Sequence, residues 1–338
     1  MSLNKRVFTG GPAPVENAFK AVTYSGNSGN QSISGLGFKP DLIWIKERSS
    51  ADAARLLDST RGVNSRLFPS ETNSASVISG TLNSFDNDGF TVGSAAEVNQ
   101  NGQTYVAWAW ACNGGTTSTN SDGNRNSTVQ VNNDTGLSIV NYTGGDTGIG
   151  GSDTVGHGLT GIPRFIIGKS TNWANNWITY LHDGTNYYHG YLDGNGALTK
   201  NGSNTQVGTS SSLPTSSVIN PSHVGTDNSN YDYMFWCWEP KEGYSKFGSY
   251  TGTGSAGHTI NVGFAPALVI VRSTANAEDW LMFDSARGNN KVLYANTDAA
   301  EATYNTFGLT STGFELPQWG SSNGNGQEYI YAAWREAT

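Results

Sequence analysis

One pattern of residues occurs twice in this chain of 338 residues, and the two occurrences keep a constant separation over most of their length. The first begins at Tyr24 and the second at Tyr250, and each continues through a Gly-Phe-x-Pro segment, an apolar run and an Asp-Ser-x-Arg-Gly segment. Both end in Asn-Gly-Gln-x-Tyr and a run containing tryptophan. A more divergent occurrence lies between them and starts at Tyr142. Self-similarity of this kind indicates a structural unit repeated along the chain.

The middle occurrence matches the outer two less closely. Its apolar run ends in a cation, Lys169, as the other two runs do. We align its last aromatic run, 231–236, with 105–110 of the first occurrence, because both read Tyr-x-x-x-x-Trp. It departs from the pattern at 181–184, where Leu-His-Asp-Gly replaces Asp-Ser-x-Arg-Gly, and it carries extra residues around 184–215.

The composition favours β structure throughout. Glycine is frequent, at 43 residues, and only 14% of residues are charged, so the chain is poor in the residues of long amphipathic helices. Aromatic residues make up 11% and provide the apolar surface of a packed core. Asn-Gly and Asp-Gly pairs recur at the spacing of hairpin turns. The sequence therefore predicts an all-β protein of three tandem β-sandwich repeats, each about 95 to 105 residues long, with antiparallel sheets.

The predicted domain boundaries follow the three occurrences. The segment between the first two is rich in Ser, Thr, Asn and Gly and is predicted to be a flexible or loosely docked linker. The segments are an N-terminal arm over 1–18 that anchors the chain to a larger particle, a first repeat over 19–112, a linker over 113–136, a diverged second repeat over 137–240 and a third repeat over 241–338.

Charge and motif content exclude several classes of partner. The net charge is −8 and the 19 Lys and Arg residues are scattered, which argues against binding to nucleic acid. No apolar stretch is long enough for membrane insertion, and the N-terminal segment lacks the apolar core of a signal peptide. The two cysteines and five histidines fall in no redox or metal-binding spacing, and the acidic turns lack a complete calcium loop. No metal and no cofactor are predicted.

The Asp-Ser-x-Arg-Gly segment contains an acid, a hydroxyl and a cation, the residue types of a catalytic site. No histidine lies nearby in either copy, and a serine nucleophile needs a base within hydrogen-bond reach. The sequence therefore favours a structural turn in which the Asp accepts backbone N–H groups, the Arg pairs locally and the Gly takes a positive φ. No catalytic residue is predicted. The residues of this repeated loop are Asp58, Arg61, Gly62, Asp284, Arg287 and Gly288.

The middle occurrence contains the best candidate for a ligand site. Aromatic rings beside Asn and His side chains suit a sugar, since rings stack on its C–H surface and polar groups bind its hydroxyls. The alternative is that these aromatic residues belong to the core, as the match of Trp177 to Trp280 in the third occurrence suggests. The candidate residues are Trp173, Asn176, Tyr187, Tyr188, His189 and Tyr191.

The repeated motifs resemble the tandem repeat of tail-fibre and other virion-surface proteins of marine tailed bacteriophages. The resemblance covers about 19–336, and its motifs lie at 24–48, 58–62, 84–94 and 102–108. It implies β-sandwich modules, often compared with concanavalin-like or laminin-G-like folds, without catalytic residues. It also implies a protein located on the virion that contacts other virion proteins and a host-surface glycan or protein. A homo-oligomer, with a trimer favoured, is expected.

Three functions follow from these expectations. The first is a structural component of a tail fibre or capsid fibre that attaches to the host surface. The second is a decoration or connector subunit of the capsid or tail without receptor binding. The third is a glycan-cleaving enzyme, for which Asp183 and Asp193 are the carboxylate pair in the aromatic region.

Overall fold

The computed structural model describes residues 15–336 except 17, 146–152, 204–206, 209–211, 222–224, 276, 305 and 319. The chain is nearly all β, with 44% strand and 1% helix, which confirms the predicted all-β character. The arm expected over 1–18 lies almost entirely outside the described residues. Within the described residues no helix has the length and apolar character needed to cross a membrane.

The strands fall into three successive parts of the chain. The first part contains β1 (Phe19–Ser25), β2 (Gln31–Ser34), β3 (Leu42–Glu47), β4 (Arg55–Asp58), β5 (Ser65–Arg66), β6 (Ser76–Val77), β7 (Leu82–Asp86), β8 (Gly89–Val92), the short helix α1 (Ala96–Asn99) and β9 (Thr104–Trp110). The second part contains β10 (Ser118–Asn120), β11 (Ser127–Asn132), β12 (Leu137–Thr143), β13 (Val155–Gly156), β14 (Phe165–Ser170), β15 (Ile178–His182), β16 (Tyr187–Tyr191), β17 (Thr199–Lys200), β18 (Val218–Ile219) and β19 (Asp232–Trp238). The third part contains β20 (Ser245–Thr251), β21 (His258–Asn261), β22 (Pro266–Ser273), β23 (Leu281–Asp284), β24 (Lys291–Tyr294), β25 (Ala302–Thr303), β26 (Gly308–Leu309), β27 (Gly313–Leu316) and β28 (Glu328–Arg335).

Each part builds one main antiparallel sheet. The strand order is β1-β9-β3-β4 in the first main sheet, β10-β11-β12-β19-β14-β15-β16-β17 in the second, and β20-β28-β22-β23-β24-β25 in the third. The strand that ends each part lies inside its sheet: β9 between β1 and β3, β19 between β12 and β14, and β28 between β20 and β22.

The segment 113–136, expected to be a flexible linker, instead extends the second main sheet. It contributes β10 and β11, and β11 pairs with β12 from Thr128 to Asn132. A polar composition does not prevent strand formation here because the buried Val129 packs in the core of this part. The buried Gln130 amide also donates hydrogen bonds to the hydroxyls of Ser59 and Thr60, which attaches the segment to the first part.

Each main sheet is buried on both faces. Its outer face packs against smaller strands of the same part, which are β2-β8-β7, β13-β18 and β21-β27-β26. Its inner face contributes to one central core shared by all three parts. Every residue of β3 is buried, as its run of consecutive apolar residues predicts. Each large ring buried in this core removes roughly 150–250 Å² from water.

Three tryptophans meet at one end of the central core. The ring centroids of Trp110, Trp238 and Trp334 are 6.0, 5.7 and 5.6 Å apart in pairs, and each ring comes from a different main sheet. Trp238 pairs with Leu137 and Phe165 in the same way that Trp110 pairs with residues of β1 and β3.

The alignment of the middle occurrence must therefore be corrected by two residues. Residues 233–238, rather than 231–236, correspond to 105–110 of the first occurrence. Both windows read Tyr-x-x-x-x-Trp, because two tyrosines and two tryptophans each lie two positions apart. A shift of two residues keeps every side chain on the same face of a strand. Only the strand register and the contacts in the central core distinguish the two alignments.

Candidate functional site

The two Asp-Ser-x-Arg-Gly segments form tight turns at the ends of β4 and β23. Asp58 accepts the backbone N–H of Arg61 at 2.9 Å and its Nε–H at 2.6 Å. Asp284 and Arg287 repeat these contacts at 2.9 and 2.5 Å. All four side chains are almost completely buried. The glycines that close the turns have φ values of 86° and 78° and are Gly62 and Gly288.

Each arginine of these turns faces a tryptophan of a neighbouring sheet. The guanidinium of Arg61 lies 5.8 Å from the ring of Trp236 in the second main sheet. The guanidinium of Arg287 lies 5.7 Å from the ring of Trp108 in the first main sheet. Trp108 also donates its indole N–H to Asp284 at 3.0 Å. The ion pair holds each turn together, and the cation–π contact connects the turn to the neighbouring sheet.

The contact between the second and third main sheets lacks both partners of this arrangement. Leu181 pairs with Phe165 at the register position that Asp58 and Asp284 occupy in the other sheets. Ala332 occupies the position of the facing tryptophan in the third main sheet. The acid and arginine of one sheet and the tryptophan of the other are thus missing together.

A network of polar side chains lies at this contact instead. Asp183 accepts hydrogen bonds from Ser249 Oγ at 2.7 Å and from Tyr188 Oη at 3.2 Å. Tyr188 Oη is also 3.1 Å from Glu328, and Lys200 pairs with Glu328 at 2.6 Å. Burial alone raises the pKa of Asp183, but hydrogen bonds from Ser249 and from backbone N–H groups outweigh it and hold this pKa below its usual value.

A buried cation at the end of β3, β14 and β22 connects each main sheet to the next. The cation of the first main sheet contacts the third part, the cation of the second contacts the first part, and the cation of the third contacts the second part. The three contacts therefore follow a cyclic order. The contacts are Lys46 Nζ to Thr297 O at 2.9 Å, Lys169 Nζ to Thr72 O at 2.8 Å and Arg272 Nη2 to Gly196 O at 2.6 Å. Burial lowers the pKa of Lys46 and of Lys169 to about 8.

The six predicted ligand residues do not form one cluster. Trp173 stacks on Tyr231 with ring centroids 4.7 Å apart, in the half-buried loop that also holds Asn176. Tyr187 and Tyr188 are buried on opposite faces of β16, because successive side chains of a strand alternate.

His189 and Tyr191, the remaining two, line a surface cleft of about 140 Å³. The cleft lies between β16 and the turn that leads to β17, and its other lining residues are Gly190, Gly196, Ala197 and Thr199. Sequence reasoning missed Gly196, Ala197 and Thr199. The signal that points to them is the group of extra residues in the middle occurrence.

Three hydrogen bonds with the third part of the chain fix the walls of this cleft. The carbonyl of Tyr191 accepts the indole N–H of Trp280 at 3.0 Å. The carbonyl of Gly196 accepts a hydrogen bond from Arg272, and Leu198 donates its N–H to Thr274 O at 2.8 Å. The cleft is therefore shaped by the contact between the second and third parts.

The carboxylate pair considered for glycan cleavage is too widely spaced. Asp183 follows the end of β15, whereas Asp193 accepts the backbone N–H of Trp177 just before β15 begins. The length of this strand places the two carboxyl groups about 15 Å apart at 3.3 Å per residue. Glycosidases hold their catalytic carboxylates about 5 to 9.5 Å apart. Burial raises the pKa of Asp193 to about 6.

The cysteines and the other acids form no further site among the residues described. Cys112 and Cys237 are both buried and not bonded to each other, and burial raises the pKa of both thiols. In the same part of the chain no three His, Cys, Asp or Glu side chains come together as a metal-binding group.

These features define a class of protein: an all-β chain whose three main sheets meet in one aromatic core, with buried Asp–Arg turns at two of the contacts between sheets and a surface cleft beside the third. The chain belongs to the family described as Domain of unknown function (DUF7483), whose model matches residues 15–338. No curated protein and no solved structure matched the chain.

Proposed function

We propose that this chain is a non-enzymatic structural protein of a bacteriophage virion, a component of a tail fibre or capsid fibre that takes part in host attachment. In this proposal it consists of three copies of one β-sandwich unit arranged around a pseudo-threefold axis. The resemblance of its motifs to virion-surface repeats suggests the role, and the packing of the main sheets supports the three-copy arrangement.

The observation that carries this proposal is the meeting of Trp110, Trp238 and Trp334, which end the closing strands of the three parts. Equivalent residues in mutual contact are what a threefold arrangement produces at its axis. The cyclic order of the buried cation contacts agrees with the same arrangement. We therefore propose that one chain supplies the three positions that a homotrimer fills with separate subunits.

The placement of the chain ends fits attachment to a larger particle. Ala18 O accepts the N–H of Ala111 beside Trp110, and Glu336 pairs with Lys20 at 3.3 Å, so both described ends lie at the tryptophan end of the axis. Tyr191 of the cleft pairs with Ile178 at the opposite end of the sheet. A particle bound through the chain ends would leave the cleft facing outward.

Purified virions provide the test. Mass spectrometry should detect this chain in virions, and immunogold electron microscopy should place it on fibres. A variant lacking 1–18 should fold, as judged by circular dichroism, and should fail to incorporate. Absence of the chain from purified virions would contradict the proposal. Labelling on the shell or the tail hub, without an effect of antibody on adsorption, would favour a decoration or connector subunit.

A further inference from the structure

We propose that the cleft of the second main sheet binds one neutral pyranose ring of a saccharide. This inference rests on the proposed function for its biological role, since it supplies the chemistry by which an attached protein recognises a surface. Its physical basis is independent and lies in the residues that line the cleft.

The lining combines an aromatic surface with a few polar groups. Tyr191 is 41% exposed, although most large side chains of this chain are buried. An exposed ring offers an apolar face to the C–H groups of a sugar. The imidazole of His189 and the hydroxyl of Thr199 both donate and accept hydrogen bonds, as sugar hydroxyls require. Among the described residues no acidic side chain and no Lys or Arg lines the cleft, which favours a neutral ligand over a phosphate or a uronic acid.

The cleft is specific to the second part of the chain. Tyr191 pairs with Ile178 as Tyr294 pairs with Leu281, so Gly190 occupies the position of the fully buried Leu293. The loop after β16 compensates for the missing side chain.

Leu198 of that loop packs over Gly190, where an added Cβ would lie 2.5 Å from Leu198 Cδ2. The loop must therefore fold back over the strand, and the cleft lies beside this fold. The contacts of Trp280 and Arg272 with the carbonyls of Tyr191 and Gly196 hold it in place. A preformed cleft reduces the entropy lost on binding.

The size of the cleft sets the expected affinity. A single pyranose has about 12 non-hydrogen atoms, and the binding free energy per atom that is typical of small ligands corresponds to a Kd on the order of 1 mM. Avidity from several copies on one particle would raise the apparent affinity well above that of one site.

The test uses the full-length protein and a panel of free sugars: methyl β-galactopyranoside, methyl α-mannopyranoside, methyl β-glucopyranoside and N-acetylglucosamine. Saturation-transfer NMR at about 10 mM sugar identifies binders, and titration of chemical shifts gives the Kd. We expect at least one sugar to bind with a Kd of about 1 mM.

Two variants impair sugar binding at the cleft in different ways. Tyr191→Ala removes the exposed ring and keeps the backbone carbonyl that Trp280 binds. Gly196→Gln adds a side chain where an added Cβ meets no atom within 4 Å, so it obstructs the cleft without disturbing its neighbours. Each should raise the Kd at least about tenfold. Val77→Ala, at a 77% exposed residue of β6, is the control and should bind as the wild type does.

The inference is overturned if no sugar in the panel binds the wild type. It is also overturned if both cleft variants are folded and bind the sugar as tightly as the wild type does. The outcome is separate from the test of the proposed function. Detection of the chain in virions without sugar binding would reject the cleft alone. Sugar binding by a chain absent from virions would reject the virion role alone.

Discussion

Single residues determine whether a buried Asp–Arg turn lies at the contact between two main sheets. Where an Asp–Arg pair is present, as at Asp284 and Arg287, the facing residue is a tryptophan. Where Leu181 replaces the acid, the facing residue is Ala332. Burying a charge is costly unless a partner compensates for it, so the members of such a set depend strongly on one another.

Replacing Arg287 with Met should destabilise the protein by about 3–5 kcal/mol, because Asp284 would remain buried without its partner. The double variant Asp284→Leu/Arg287→Met removes both charges and should lose less stability than Arg287→Met alone. Urea denaturation followed by circular dichroism measures both. Lys20→Met, which breaks the exposed pair with Glu336, is the control and should change stability by less than about 1 kcal/mol. An Arg287→Met protein as stable as the wild type would contradict the assigned role.

Asp193→Asn should stabilise the protein at neutral pH. Burial raises the pKa of Asp193 from 3.8 to about 6, so the folded state holds this proton more tightly than the unfolded state. The stability that Asp193 contributes is therefore present below about pH 4 and lost as the pH rises to about 6. Asn296 already accepts the N–H of Trp280 at the matching position of the third part, which shows that an amide fits there.

The melting temperature of Asp193→Asn, compared with wild type from about pH 4 to pH 8, measures this effect. The difference should grow up to about pH 6 and then level off, at a gain of about 1–2 kcal/mol after allowance for partial exposure. The exposed Asp134→Asn is the control and should show no such trend. A variant less stable than wild type above pH 6 would reject the argument.

At the scale of strands, much of the architecture follows from the sequence. The consecutive apolar residues of β3 predict burial on both faces, and the alternation in β9 places Trp108 and Trp110 on one face. The alternation also explains why the predicted ligand cluster separates, since Tyr187 and Tyr188 are neighbours that must point to opposite faces. The register of β19 and the strands within 113–136 depend on contacts with distant residues, which local patterns do not contain.

Hydrogen exchange can test the corrected assignment of 113–136. The amides of β11 should be protected to within about tenfold of those in the adjacent β12, because the two strands share a ladder and Val129 packs in the core. Exchange measured by mass spectrometry on short peptides resolves the two strands. The exposed turn at 121–124 provides an unprotected reference. Complete exchange of β11 within seconds would restore the interpretation as a flexible linker.

At the scale of the whole molecule, the central core makes the three parts depend on one another. Each main sheet buries its inner face against side chains of the other two, and this shared core includes Trp44, Trp236 and Ile270. A part separated from the others would expose this apolar face to water and would aggregate or fail to fold. The domain boundaries of the sequence therefore do not mark parts that we expect to fold alone.

The sequence resemblance implies a homo-oligomer, whereas the proposed threefold arrangement within one chain predicts a monomer that unfolds in one transition. Light scattering after size-exclusion chromatography should give the mass of a single chain, since the proposed threefold positions are filled within it. Calorimetry should give equal calorimetric and van't Hoff enthalpies, as cooperative unfolding requires. Two or three separate heat-absorption peaks, or the mass of three chains, would contradict the shared core as the unit of stability.

Connection of the three parts in one chain has a consequence for how their contacts can change over generations. In a homotrimer a single codon sets the same residue at all three contacts, so any substitution is imposed three times at once. Here each contact is encoded by its own codons. The loss of the acid and arginine near Leu181, together with the loss of the facing tryptophan at Ala332, affects one contact and leaves the other two ion pairs in place. Connection of the three parts in one chain thus allows one contact to acquire a distinct surface, and the cleft at Tyr191 lies beside that contact.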